Sequence, residues 1–181
     1  TAVTLIQVAK ETGTQALIHG SYDDQHGFDE MLAAYPDVAA ARQVGFDVLD
    51  RLQEFGGEHV MFENSISPVF FYGDSAVEDA ILAHGYRLAY DVSHAFITVH
   101  GDNDRLIASL EHLKEQIVHY HLVDSMGQTH DSLPLGEGQI AWQRVLPHLN
   151  PAATDIYEID LKDQANCAEQ VASHQYLQQF M

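Results

Sequence analysis

The chain has 181 residues, of which 46% are apolar and 19% charged, and this ordinary globular composition excludes a disordered or fibrous protein. Its 27 acidic and 8 basic residues give a formal charge of −19, which argues against a nucleic-acid or anionic-membrane binder, because such binding needs Lys and Arg against phosphate. No apolar run approaches the about 18 residues of a membrane span, and the single cysteine excludes an internal disulfide framework. We therefore expect one cytoplasmic domain over residues 1–181 that acts on a small molecule.

Segments of helical periodicity alternate with segments of strand character along the chain. The predicted helices cover residues 4–12, 37–55, 74–84, 103–116, 139–149 and 164–179. The predicted strands cover residues 16–19, 60–64, 88–91, 117–123 and 156–159. Such alternation predicts an α/β fold in which five strand–helix units build a parallel sheet.

Each predicted strand carries a metal-ligating or acid–base side chain at or near its carboxyl end. These side chains are His19, Glu63, Asp91, His121 and, within the fifth strand, Glu158. The loops that follow parallel strands converge on that edge of a sheet or barrel, and active sites form there. Charged groups that point into a barrel mouth are costly unless they are paired or bind a metal. We therefore expect these side chains to share one site.

Five short motifs, in this order, carry a resemblance to a known family. The motifs are Phe62-Glu63-Asn64, Asp91-Val92-Ser93-His94-Ala95, His121-Leu122-Val123-Asp124-Ser125, Pro134-Leu135-Gly136-Glu137-Gly138 and Tyr157-Glu158-Ile159. From about His19 to the C-terminus, the chain resembles the sugar-phosphate isomerase/epimerase group of xylose isomerase-like TIM barrels, a superfamily that includes endonuclease IV. Because a full barrel usually needs about 250 residues, the resemblance implies an incomplete TIM-barrel-like fold of about five βα units, corresponding to the C-terminal part of the barrel.

The resemblance also implies a metal-dependent reaction. One divalent ion would be bound by Glu63, Asp91, His121 and Glu158, and this donor set favours Mn²⁺, with Mg²⁺, Co²⁺ and Zn²⁺ as alternatives. The implied activity is isomerisation or epimerisation of a sugar or sugar phosphate, by proton abstraction next to a carbonyl through a metal-stabilised enediolate. Glu63 and Glu158 would be the catalytic base and acid.

Other side chains are predicted around this centre. The resemblance implies that His94 contacts a substrate oxygen and that His19 lines the pocket as a second substrate-binding residue. His119 has the same strand parity as His121 and is predicted to be a buried structural residue, whereas His130 is predicted to lie on a solvated face. Further along the chain, Asp124 and Ser125 are predicted to orient the loop after His121, and Trp142 to anchor the short helix after the Gly-Glu-Gly turn.

Departures from the family pattern leave two alternatives. The endonuclease branch binds another zinc with an Asp-x-His pair, and His130 and Ser132 occupy those positions here, which disfavours a metallo-phosphodiesterase of that type. The arginine that many of the epimerases use to hold a substrate hydroxyl is absent from Ser125-Met126-Gly127. The first three βα units of the family have no counterpart in the chain. A truncated barrel that only binds a ligand or partner is therefore the second alternative, and we expect a homo-oligomer or a partner that supplies the absent strands.

Overall fold

The computed structural model describes residues 1–20 and 33–181. The helices are α1 (Ala2–Thr12), α2 (Val38–Gly56), α3 (Ser75–His84), α4 (Val92–Thr98), α5 (Asn103–Leu113), α6 (Trp142–Val145) and α7 (Ala168–Leu177). The strands are β1 (Ala16–His19), β2 (Val60–Glu63), β3 (Leu88–Asp91), β4 (Ile117–His121) and β5 (Thr154–Ile156). All of these strands are parallel and lie in the order β1-β2-β3-β4-β5, which confirms the predicted α/β fold. Among the described residues, no helix is long and apolar enough to cross a membrane.

Capping residues explain where the longer helices begin and end. The carboxylates of Asp37, Asp74 and Asp102 accept hydrogen bonds from backbone N–H groups in the first turns of α2, α3 and α5, groups that have no partner within the helix. Gly13 and Gly85 follow α1 and α3 with φ of +68° and +67°, a left-handed conformation that favours glycine. These caps fix the helix ends that the sequence predicted.

One face of the sheet packs against the helices and forms the hydrophobic core. Successive strand residues point to opposite faces, and apolar residues of β1 to β4 face this core. The buried cluster includes Val60, Phe62, Leu88 and Tyr90 of the sheet and Phe46, Leu49, Ile81, Leu106 and Leu110 of the helices. In the part of the chain that the structure describes, the helices therefore cover one face of the sheet, and the strands direct their other side chains to the opposite, inner face.

The inner-face side chains of neighbouring strands pair with one another, but the register is staggered by two residues between β2 and β3, because Glu63 pairs with Ala89. On one side of this stagger, Leu17 pairs with Met61 and His19 with Glu63. On the other side, Ala89 pairs with His119 and Asp91 with His121. The predicted site residues of the first four strands thus share one face and one edge of the sheet.

The fifth strand lies two residues earlier than predicted. It comprises Thr154–Ile156 and pairs with His119, Tyr120 and His121, so Glu158 follows the strand instead of lying within it. The prediction relied on the apolar residues from 156 onward. Because β5 is an edge strand whose three residues are all exposed, polar Thr154 and Asp155 are tolerated in it.

Three helices also differ from the prediction. The short helix α4 was not predicted, because it follows β3 directly without a loop to mark its start. Helix α7 begins at Ala168 instead of residue 164, since the Asp163 carboxylate accepts a hydrogen bond from the Ala165 N–H and holds that segment in a turn. The predicted helix over 139–149 is divided into α6 and a 3₁₀ turn at Leu146–His148.

The sheet does not close into a barrel within the described residues. Strands β1 and β5 each pair with a neighbour on one side only. An open parallel sheet with helices on its outer face agrees with the prediction of an incomplete barrel.

Candidate metal centre

Four of the predicted site residues converge at the carboxyl edge of the sheet. Glu63, Asp91 and His121 end three neighbouring strands, and Glu158 comes from the segment after β5. One ligand atom from each lies within 4.8 Å of the others. The first three residues are buried, whereas the side chain of Glu158 is 56% exposed. The structure therefore brings the four predicted metal ligands close enough together to hold one ion.

The contacts within this group centre on Nδ1 of His121. This nitrogen lies 3.1 Å from Glu63 Oε1, 3.7 Å from Asp91 Oδ2 and 2.5 Å from Glu158 Oε2. Although buried, neither His121 Nδ1 nor Glu63 Oε1 has a hydrogen bond of acceptable geometry, and buried polar atoms without one are rare in proteins. Because these two atoms lie close together and neither is used in a hydrogen bond, both are available as ligands of a cation. Three carboxylates and an imidazole fit a divalent ion.

The three carboxylates make the group strongly anionic. Burial by itself lowers the pKa of His121, but contact with Asp91, Glu158 and Glu63 outweighs burial and raises that pKa to about 12. Contact with His121 in turn lowers the pKa of Glu158. Burial raises the pKa of Asp91, but His94 and His121 outweigh burial and lower it. The group thus favours a positive charge at its centre, which a bound divalent ion would supply in place of the proton.

Asp91 both begins a helix and faces the centre. Its Oδ1 accepts hydrogen bonds from Ser93 Oγ (2.9 Å) and from the backbone N–H of His94 (2.8 Å), as the N-cap of α4. The side-chain amide of Asn64 bonds to both backbone groups of Asp91, accepting from its N–H at 2.8 Å and donating to its carbonyl at 3.0 Å. The Asp-x-x-His motif is therefore a helix N-cap that leaves Oδ2 free to face His121.

His94 makes a hydrogen bond through each of its ring nitrogens. Nδ1 donates to the backbone carbonyl of Asn64 at 2.8 Å, and Nε2 lies 2.9 Å from Nε2 of His130. Because a carbonyl only accepts, Nδ1 of His94 carries a hydrogen. When both rings are neutral, the hydrogen between the two Nε2 atoms therefore belongs to His130, and Nδ1 of His130 is an acceptor.

A cavity of about 280 Å³ adjoins the group, near the lower end of the about 300–1,000 Å³ range of small-molecule sites. Its wall contains His19, Glu63, Asp91, His94, Val123, His130, Ser132, Glu158, Ile159 and Asp160. Both predicted substrate histidines line it, and Nε2 of His19 lies 3.4 Å from Glu63 Oε2. His130 is exposed, as predicted, and it also forms part of the wall.

His119 lies outside the group of ligands. It is buried, and its Nδ1 lies 2.7 Å from the hydroxyl of Thr154. Burial lowers the pKa of His119, and His121 lowers it further. Its position agrees with the predicted structural role.

Asp124 organises the loop that carries the Pro-Leu-Gly-Glu-Gly motif. Its buried carboxylate accepts hydrogen bonds from the N–H groups of Gly136 (2.8 Å) and Ile140 (3.2 Å) and from Trp142 Nε1 (3.0 Å). A Cβ at Gly138 would overlap this carboxylate, so only glycine fits there. The interpretation of Asp124 as a loop-orienting residue and of Trp142 as an anchor agrees with these contacts.

Replacing Asp124 by Ala should lower the free energy of unfolding by about 3 kcal/mol, because it leaves several buried donors without an acceptor. Chemical denaturation followed by the fluorescence of Trp142 measures this change. The exposed Glu137 of the same loop is the control, and Glu137→Ala should alter stability by less than about 0.5 kcal/mol. Equal losses in the two variants would contradict the role of Asp124.

The sequence matches no protein-family model and no curated protein. Solved structures share its fold, among them a D-tagatose 3-epimerase-like protein that is 18% identical, with a TM-score of 0.71 over 98% of this chain and 66% of that chain. A Thermus thermophilus protein soaked with ZnCl₂ is 19% identical, with a TM-score of 0.61 over 99% of this chain and 66% of that one. The apo form of 3-keto-D-glucoside 4-epimerase from E. coli is 14% identical, with a TM-score of 0.60 over 98% of this chain and 69% of that enzyme.

These similarities establish the fold. The chain has a xylose isomerase-like TIM-barrel fold, and it spans 66% of the length of the first two structures. Together with the open five-stranded sheet, this coverage confirms the prediction of an incomplete barrel.

Proposed function

We propose that the chain carries the catalytic centre of a divalent-metal-dependent sugar isomerase or epimerase. The observation that carries this proposal is the convergence of Glu63, Asp91, His121 and Glu158 within 4.8 Å beside a cavity. The names of two structural neighbours, a D-tagatose 3-epimerase-like protein and a 3-keto-D-glucoside 4-epimerase, support the choice of a sugar as substrate.

In this proposal the four residues hold one divalent ion, with Mn²⁺ favoured and Mg²⁺, Co²⁺ or Zn²⁺ as alternatives. When bound, the ion would polarise a sugar carbonyl and stabilise the negative charge that develops on it. The residues present fit such an ion, because two buried atoms of the group, Glu63 Oε1 and His121 Nδ1, have no hydrogen bond within the protein.

Glu63 and Glu158 act as base and acid in this proposal. They come from β2 and from the segment after β5, so they approach the cavity from separate parts of the sheet. Glu63 is buried, but its Oε2 lies 3.4 Å from Nε2 of His19, whose side chain is 45% exposed, and a proton taken up by Glu63 can leave by this contact. Glu158 exchanges protons with solvent directly, since more than half of its side chain is exposed.

In the same proposal, His94 contacts a substrate oxygen through Nε2, the ring nitrogen that meets His130 at the cavity wall and that a sugar hydroxyl would take over. We expect His94→Ala to weaken sugar binding about tenfold, the loss of roughly one hydrogen bond, without changing the metal content. Calorimetric titration of the metal-loaded variant with the sugar measures the sugar affinity, and a separate titration of the metal-free variant with Mn²⁺ measures metal binding. His148, which pairs with Glu111 away from the cavity, supplies the control variant His148→Ala. A loss of bound metal in His94→Ala would assign His94 to the ligand set instead.

Two alternatives to the proposed enzyme are a metallo-phosphodiesterase and a barrel that only binds a ligand or partner. The presence of His130 and Ser132 in place of the Asp-x-His pair, together with the acidic charge, disfavours a metallo-phosphodiesterase. A barrel that binds metal and ligand without turnover would use the same residues and cavity, and it differs from the proposed enzyme only in that no proton is exchanged with the sugar. Within residues 1–20 and 33–181, β1 and β5 each have an unpaired edge, which supports our proposal that a second copy or a partner pairs with these edges.

Deuterium uptake from solvent tests the proposed reaction. A panel of ketoses is incubated with the chain in D₂O, with and without Mn²⁺, and mass spectrometry detects exchange at the carbon next to the carbonyl. We expect exchange only with the ion and only for sugars that are isomerised or epimerised. Sugars that bind without gaining deuterium would overturn the catalytic proposal and support the binding-only alternative.

A further inference from the structure

The cavity beside the metal-binding group is acidic and has no cationic side chain in its wall. Glu63, Asp91, Glu158 and Asp160 contribute four carboxylates. All 8 Lys and Arg residues of the chain belong to its described part, and none lines the cavity. No Lys or Arg residue of the chain therefore lies in the cavity wall.

Most of these cations have partners elsewhere. The ammonium or guanidinium groups bond to Phe55 O (from Lys10), Pro68 O (from Arg42), Gln15 Oε1 (from Arg87), Gly73 O (from Arg105) and the Asp104 carboxylate (from Arg144). Arg51 belongs to α2 and Lys114 follows α5. In sequence, Lys162 is the cation nearest to the wall, two residues beyond Asp160, and it is exposed.

The position of these charges matters because of where such barrels bind phosphate. In TIM barrels, phosphate groups frequently bind the loops that follow the last two strands. The corresponding loops of this chain, 122–141 and 157–167, follow β4 and β5. Lys162 is their only cation, against the acidic residues Asp124, Asp131, Glu137, Glu158, Asp160 and Asp163. The usual phosphate position is therefore electronegative.

We infer that the site takes an uncharged sugar and rejects its phosphorylated or carboxylated forms; this inference rests on the proposed function. A divalent ion offsets only half of the charge of the four carboxylates, so an anionic substituent meets a net negative wall. The hydroxyl groups of a neutral sugar instead find acceptors in that wall, namely the carboxylates and the ring of His130.

Calorimetric binding of D-fructose and D-fructose 6-phosphate to the Mn²⁺-loaded chain tests the inference, since the two share one carbon skeleton. The phosphate ester should bind at least about tenfold more weakly at low salt, and added salt should narrow this difference because it screens the repulsion. Asp160→Asn should also narrow the difference, whereas Lys162→Gln should leave both affinities unchanged.

Two other outcomes distinguish failure of this inference from failure of the proposed function. If the phosphate ester binds as tightly as fructose and loses affinity in Lys162→Gln, then Lys162 anchors the phosphate and the inference alone is overturned. If Mn²⁺ binds but neither fructose nor its phosphate does, the inference and the proposed function are both overturned.

Discussion

Replacement of Glu158 by Gln should reduce the rate of deuterium incorporation into a sugar substrate by about 10²- to 10⁴-fold, the usual contribution of a general acid or base. The amide keeps an oxygen that can approach the ion but cannot accept or return a proton. Mass spectrometry of the sugar after incubation in D₂O measures the rate, and calorimetry with Mn²⁺ establishes that the variant still binds metal.

Glu137→Gln is the matched control for this variant. Glu137 is an exposed glutamate in the neighbouring loop and lies outside the cavity wall, so we expect its exchange rate to equal that of the unaltered chain. Full exchange activity in Glu158→Gln, with metal bound, would remove Glu158 from the proposed acid–base pair.

Replacement of His121 by Ala should lower the affinity for Mn²⁺ by about a hundredfold or more, since loss of a residue that only supports a ligand already costs 10- to 100-fold. The change removes the only nitrogen of the group and leaves three mutually repelling carboxylates. Calorimetric titration of the metal measures the affinity.

His119 provides a stringent control for His121. The two residues lie on the same strand and face, and their ring centroids are 5.3 Å apart, but His119 contacts Thr154 and not the carboxylates. His119→Ala should therefore bind Mn²⁺ as the unaltered chain does. Equal affinities in the two variants would show that Mn²⁺ binds somewhere other than the proposed centre.

Local sequence signals predicted the elements that local interactions determine. Helix ends at Asp37, Asp74 and Gly85 follow from capping contacts within a few residues. Strand β5 was misplaced because its limits depend on pairing with β4, which lets Thr154 join an exposed edge. Helix α4 was missed because the signal that begins it is the carboxylate of Asp91, which was interpreted only as a metal ligand.

The same distinction applies to the candidate site. Strand parity and strand ends were sufficient to group Glu63, Asp91 and His121, because each is the last residue of its strand and parallel strands bring their carboxyl ends to one edge of the sheet. The contact between His94 and His130 could not be predicted, since it depends on how a loop 36 residues away in sequence folds over the cavity. For His130, the sequence offered one signal, its position where the endonuclease branch has the Asp of Asp-x-His.

The position of a bound ion tests the proposed centre most directly. Anomalous diffraction from crystals grown with Mn²⁺ should show one peak about 2.0–2.3 Å from carboxylate oxygens of Glu63, Asp91 and Glu158 and from Nδ1 of His121. A saturating concentration of Mn²⁺ that leaves this point without a peak, or that places the ion among other side chains, would contradict the proposal.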